Sequence, residues 1–178
     1  MKGESMDLTF TEALSSEDIK FFRGYSLKQS NTFKIGGATP LAIFPKNKEE
    51  AVFVIRGLIE QGIPYLTLGN GSNVLIADDG TEKTIVFTSE LTQITAHEEE
   101  SYVYLTADSG VKLTSLAKAA ADQSLTGLEF AYGIPGTVGG AVMMNAGAYG
   151  GEISDVVTET LYVDETGDIQ ICRGNAHQ

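Results

Sequence analysis

The feature that most constrains this chain is the stretch Gly133 to Gly150, GIPGTVGGAVMMNAGAYG, dense in glycine and free of charged side chains. Glycine loses much backbone entropy on folding and buries no side chain. A cluster of it therefore marks positive-φ backbone or the close approach of another group. Pro135 and Gly136 turn the chain, and Thr137 stands where it can cap a short helix over Val138 to Asn145. Two readings follow. Bare N–H groups at a helix start are a place for an anion, commonly a phosphate. Alternatively, a helix of small residues packs tightly against a sheet.

A second stretch bears on that choice. Leu66 to Asn73 reads LTLGNGSN, and the apolar run Ile63 to Leu68 predicts a buried strand opening directly into Gly69, Asn70, Gly71, Ser72 and Asn73. Val74 stands where a dinucleotide fingerprint has its third glycine. The short apolar run to Ala77 is then broken by Asp78, Asp79 and Gly80, so the helix which that fingerprint needs is not expected. No Gly-Lys-Ser/Thr occurs, so a P-loop is excluded. The loop can still present successive N–H groups as a concave nest for an anion. The competing reading is a decorated β-turn.

The segments LGNGSN at 68–73 and GLEFAYGIPGTVGGAVMMNAGAYGGEI at 127–153 resemble the UDP-N-acetylenolpyruvoylglucosamine reductases, flavoenzymes of peptidoglycan precursor synthesis. Asn31-Thr32-Phe33-Lys34-Ile35-Gly36-Gly37 resembles the same family's N-terminal signature. The matches keep the family's order from about Ser26 to about Cys172. The resemblance implies the two-lobed α+β FAD-binding fold shared with vanillyl-alcohol oxidases. It implies cofactor contacts from Leu68, Gly69, Asn70, Gly71, Ser72, Asn73, Gly110, Gly133, Ile134, Pro135, Gly136, Thr137, Gly139, Gly140, Asn145 and Ala146, with Tyr149 toward the substrate. FAD is expected to be held non-covalently, since neither principal glycine loop contains a His or Cys.

In the family, hydride passes from NADPH through the flavin to the enol ether of a sugar nucleotide. A serine protonates the product, and a glutamate and an arginine stabilise the developing charge. The arginine belongs to a Tyr-Arg-x-Ser motif expected just beyond Gln178, and the serine and glutamate to a third, substrate-binding domain. No catalytic residue is therefore assigned in this chain, and the fragment by itself is expected to be inactive. Two other readings stand beside this one: a stand-alone flavin- or nucleotide-binding module, and an FAD-dependent oxidase of the wider family.

Composition fits these expectations. With 24 acidic against 12 basic side chains the net charge is −12, which argues against a nucleic-acid partner. Any phosphate site must then rely on backbone N–H groups or a locally placed lysine. Lys34 is the one base in its segment and reads as solvated surface. The single cysteine, Cys172, can form no internal disulfide, and no metal-ligand spacing occurs. Together with the absence of an apolar leader or a membrane-length run, this predicts a cytoplasmic protein. The sequence leaves the oligomeric state open.

Along the chain, Ser15 and Asp18 predict a capped helix over Ser16 to Arg23. Pro40 to Pro45 reads as a strand, and Asn47 with Glu50 as the capping box of a helix with Val52, Ile55, Leu58 and Ile59 on one face, ended by Gly62. With the strands at Ile63 to Leu68 and Thr84 to Thr88 this predicts a β-α-β lobe, a parallel pair joined by the helix, over residues 1–88. The second lobe, 89–178, is expected to be a mainly antiparallel sheet with helices. Its parts are a hairpin with Glu98, Glu99 and Glu100 at the turn, a turn at Asp108-Ser109-Gly110, a helix through Leu113, Leu116, Ala117 and Ala120, and strands at Val156 to Val163 and Ile169 to Cys172, joined as a hairpin by Asp164-Glu165-Thr166-Gly167. His97 and His177 read as surface residues.

Overall fold

The computed structural model describes residues 2–99 and 102–177, and the side chains of all of these except 2–8, 175 and 176. The chain begins with α1 (Lys2–Ser16) followed by β1 (Lys20–Ser26), not with a helix over Ser16 to Arg23. Ser15 does not start a helix, because its Oγ donates back to the Thr11 carbonyl at 2.9 Å. Asp18, at φ 54°, stops α1. The Ile19 N–H then donates to the Leu14 carbonyl at 2.9 Å and the Asp18 N–H to that of Ser15 at 3.2 Å, the double closure of a helix C-terminus. The polar pattern that reads as a cap at one end thus serves at the other. Phe10 and Leu14, both buried, supply the apolar face of α1.

β1 pairs antiparallel with β2 (Ala38–Phe44). α2 (Lys48–Glu60) begins with the expected Asn47 cap, the Glu50 N–H donating to Asn47 Oδ1 at 2.8 Å, but the capping box does not close: Glu50 Oε2 accepts from the Lys46 N–H at 2.9 Å, one residue before the cap. Its most buried side chains are Val54, Ile55 and Leu58, with Val52 and Ile59 only half-buried. The stripe is wider than the sequence pattern because Phe10 and Leu14 of α1 share the same core. After Gly62 come β3 (Tyr65–Leu68) and β4 (Thr84–Phe87).

The sheet order is β1-β2-β4-β3, with β4 parallel to both β2 and β3. The helix α2 therefore does not join two neighbouring strands, because β4 lies between them. All four residues of β4 are buried. β3 is an edge strand, and Leu66 is 47% exposed, so the expected buried strand is only half-covered. One face of the sheet packs on α1 and α2 through Leu41, Ile43 and Val86. The other carries Leu27, Ala42, Phe44, Ile85 and Phe87, with the Phe44 and Phe87 rings stacked at 4.7 Å. Burying such a side chain contributes ~1.5–3 kcal/mol.

In the second half, β5 (Ile94–Glu99) and β6 (Tyr102–Ala107) form the expected hairpin. Glu98 and Glu99 belong to β5, paired with Val103 and Tyr102, and not to the turn; Glu100 lies outside the described residues. α3 (Leu113–Asp122) buries Leu113, Leu116, Ala117 and Ala120, as their spacing predicts. α4 (Val138–Met143) is shorter than expected, and the chain leaves it through Asn145 at φ 43°. β7 (Gly147–Ala148) and β8 (Gly151–Glu152) turn through Tyr149 and Gly150, both at positive φ. β9 (Glu159–Val163) and β10 (Ile169–Arg173) complete the fold. Val156 instead follows a short 3-10 turn, Ile153–Asp155. Pairing here is antiparallel throughout, in separate two-stranded ribbons. The last hairpin reaches back to α2, where Arg56 Nε donates to the Gly167 carbonyl at 2.8 Å and its guanidinium meets Asp168 Oδ1 at 3.0 Å.

Candidate cofactor site

The chain leaves the sheet at the C-terminal end of β3, the end at which parallel strands present ligands. The Thr88 N–H holds the Leu68 carbonyl at 3.0 Å, so the exit is anchored to the neighbouring strand. Gly71 then adopts φ 65°. A Cβ there would run into the Ser30 carbonyl and lie 2.7 Å from Asn31 Cα. The Gly71 carbonyl in turn accepts from the Thr32 N–H at 3.1 Å. Among the described residues, none of the N–H groups of 69–73 finds an acceptor. These N–H groups, most of them on partly exposed backbone, are open to water or to a ligand, and a run of them about a left-handed residue has the character of an anion-binding nest.

The second glycine segment supplies fewer donors than its sequence suggests. The Thr137 side chain makes no capping hydrogen bond to α4. The first helical N–H groups are already satisfied: Val138 donates to the Val111 carbonyl and Gly139 to that of Ser109, both at 2.8 Å. The bare helix start therefore does not exist, because the loop after β6 caps α4 with its own backbone. The N–H groups of Gly136, Thr137 and Gly140 find no acceptor among the described residues. The small-residue reading also holds, since a Cβ on Gly139 would lie 2.7 Å from Ser109 Cβ.

The two glycine segments meet. A Cβ on Gly69 would collide with Thr137 Oγ1, and one on Gly136 would stand 3.7 Å from Ser72 Oγ. Neither segment contains Lys or Arg. The arrangement suits the pyrophosphate of a dinucleotide: neutral donors from both segments, no carboxylate within either loop, and no room for a side chain at Gly69 or Gly71.

The other residues implied by the resemblance are spread more widely. Gly110 packs against the carbonyls of Thr88 and Leu91. Gly133 and Pro135 are exposed and Ile134 is half-buried, while half-buried Leu68 precedes the nest and exposed Asn70 and Asn73 lie within it. Ala146 fastens α4 to the next turn, donating to the Ala141 carbonyl at 2.9 Å and accepting from the Ile153 N–H at 3.1 Å. Asn145 Oδ1 accepts from the Ser154 N–H at 2.9 Å. Beside it an open depression of about 530 Å³ is lined by Asn145, Gly147, Ala148, Gly150, Gly151, Glu152 and Asp155. Hydrogen bonds from Ser154 and then Asn145 hold the Glu152 carboxyl below its ordinary range. Tyr149 is 97% exposed at the tip of the β7–β8 turn. Sequence reasoning missed the backing of the nest by Ser30, Asn31 and Thr32; the NTFKIGG signature was the available signal.

The FAD-binding domain family matches residues 39–173. Among curated relatives, the UDP-N-acetylenolpyruvoylglucosamine reductase of Clostridioides difficile is 40% identical over 95% of this chain and 54% of its own length. The chain spans about half the length of the curated relatives it matches. Among solved structures, the corresponding reductase from Thermus caldophilus superposes with a TM-score of 0.67 at 29% identity, over 88% of this chain and 52% of that one. Cholesterol oxidase from B. sterolicum reaches 0.68 at 19% identity, over 88% and 33%, a likeness of fold alone. No described helix is long and apolar enough to cross a membrane.

Proposed function

This chain belongs to the FAD-binding domain family, and on that premise we propose that it is the FAD-binding portion of an NADPH-dependent reductase. The reaction is the conversion of UDP-N-acetylglucosamine enolpyruvate to UDP-N-acetylmuramate, a cytoplasmic step of peptidoglycan precursor synthesis. The observation that carries this reading is the run of unpaired N–H groups at residues 69–73, set against Gly136 and Thr137. The 40% identity to a reductase of that name supports the choice of substrate.

When bound, FAD supplies hydride transfer between a nicotinamide and the substrate. The protein's own part begins with the pyrophosphate. The N–H groups of Gly69, Asn70, Gly71, Ser72 and Asn73 hold it from one lobe, and those of Gly136, Thr137 and Gly140 from the other. Backbone dipoles do this without a basic side chain, which suits a chain of net charge −12. Thr137, 4% exposed, keeps the two loops in contact. Tyr149, on a tight turn beside the open depression, faces the side from which a sugar nucleotide arrives.

Titration of the purified chain with FAD, followed by quenching of flavin fluorescence, tests the reading. Saturable binding is expected, with all of the flavin released on acid precipitation. Absence of binding would remove the site assignment, and flavin retained on the pellet would contradict non-covalent attachment. Product formation from NADPH and the enolpyruvyl sugar nucleotide by the complete gene product, read by chromatography, tests the reaction.

A further inference from the structure

Asn31 is 3% exposed, one of the few buried polar side chains among the described residues. Its Nδ2 donates to the Leu27 and Ile35 carbonyls, both at 2.8 Å. Two carbonyl partners fix the amide's orientation, because only the nitrogen can donate to them. Its Oδ1 is left buried with no partner among the described residues. A buried acceptor without a donor is destabilising. The asparagine must therefore be accounted for by what it holds in place.

What it holds is the back of the nest. Its two bonds close the loop from Leu27 to Ile35 around one side chain. The backbone so closed presents the Ser30 carbonyl and Asn31 Cα against Gly71, and the Thr32 N–H bonds to the Gly71 carbonyl at 3.1 Å. Gly71 is the left-handed residue on which the direction of the loop's N–H groups depends. Residues 27–35 lie upstream of the span matched by the FAD-binding family. We infer that Asn31 is a positioning residue: acting through Gly71, it holds the 69–73 loop in its anion-binding conformation without touching the ligand. The inference rests on the FAD reading of that loop.

The test is FAD affinity measured well below the melting temperature for the wild-type chain, Asn31→Ala, Gly71→Ala and the double variant, with each Tm alongside. Asn31→Ala is expected to weaken binding ~10- to 100-fold, the range seen when outer-shell supports of bound metals are removed. The loss should not add to that of Gly71→Ala, since both act on one loop. Backbone ¹⁵N relaxation should show Gly71 becoming more mobile in Asn31→Ala before any FAD is added, a readout that global stability alone does not move. Asn31→Leu, which removes the orphan acceptor but also the donor to the Leu27 and Ile35 carbonyls, keeps the question open to measurement if the alanine variant fails to fold, because it leaves no cavity; it should still bind FAD more weakly. Unchanged affinity in the folded variants, or fully additive losses, would overturn the inference while leaving the FAD site standing. No binding by the wild-type chain would overturn both.

Discussion

Gly69 and Thr137 touch where the loop after β3 meets the start of α4, so closely that a single methyl group on Gly69 would run into the threonine hydroxyl. The two residues are far apart in sequence, each beside a loop with unpaired N–H groups. The contact fixes the spacing of the two donor sets. Thr137 is buried, so its side chain cannot swing into solvent to make room.

Gly69→Ala should therefore cost ~1–3 kcal/mol, the range for overpacking a close contact. Removing the hydroxyl in Gly69→Ala/Thr137→Ala should recover part of that and not all, because Thr137 Cβ would still lie 3.2 Å from the new methyl. Urea denaturation of the wild-type, single and double variants measures it. Additive losses would mean that the seam is looser than the geometry requires.

Gly71→Val and Gly136→Val should behave differently from each other. At Gly71 a side chain meets both a positive φ and the Ser30 carbonyl, so the fold itself should suffer. At Gly136 the nearest atoms are 3.7 and 3.8 Å from a Cβ, so Tm should hardly change. The added branches stand beside the unpaired Thr137 N–H, and FAD affinity should fall ~10-fold, about 1.4 kcal/mol, the size of one hydrogen bond to a charged group. Circular dichroism with flavin titration separates the two outcomes.

Asn47→Ala removes the side-chain acceptor of the Glu50 N–H at the start of α2. The expected loss is ~1 kcal/mol of stability in urea, with FAD affinity unchanged because the Asn47 side chain bonds to Glu50 and to neither glycine loop. A change in affinity would reveal coupling between α2 and the nest.

Asp164 closes the β9–β10 turn. Its carboxylate accepts from Thr166 Oγ1 at 2.6 Å, from Gln170 Nε2 at 2.9 Å and from the Asp168 N–H at 3.0 Å. The Thr166 hydrogen bond, followed by that of Gln170, holds its pKa well below the ordinary aspartate range. A depressed folded pKa contributes stability that is fully present above the unfolded value of ~3.9 and is lost as pH falls through the folded value. NMR titration should find Asp164 still ionised at about pH 3, and Asp164→Asn should flatten this part of the acid-unfolding curve. Protonation at the ordinary aspartate pH would show that the turn bonds do not persist in solution.

Several features of this protein were legible in the sequence because they are decided within a few residues. The Asn47 cap, the α3 stripe of Leu113, Leu116, Ala117 and Ala120, and the hairpin joined by Asp164 to Gly167 each follow from local spacing and turn chemistry. The two glycine loops also announced themselves, since only backbone geometry or close approach accounts for so many glycines without charge. Tertiary structure decided which groups those loops leave available. The insertion of β4 between β2 and β3 turned Ile63 to Leu68 into an edge strand. The carbonyls of Ser109 and Val111, distant in sequence, took the N–H groups that α4 would otherwise have offered. The donors that remain lie chiefly on residues 69–73, where Asn31 and Gly71 are set against each other by contacts no local pattern encodes. The physical reason is that a backbone N–H has one proton to give, and which acceptor receives it depends on chain segments that meet only after folding.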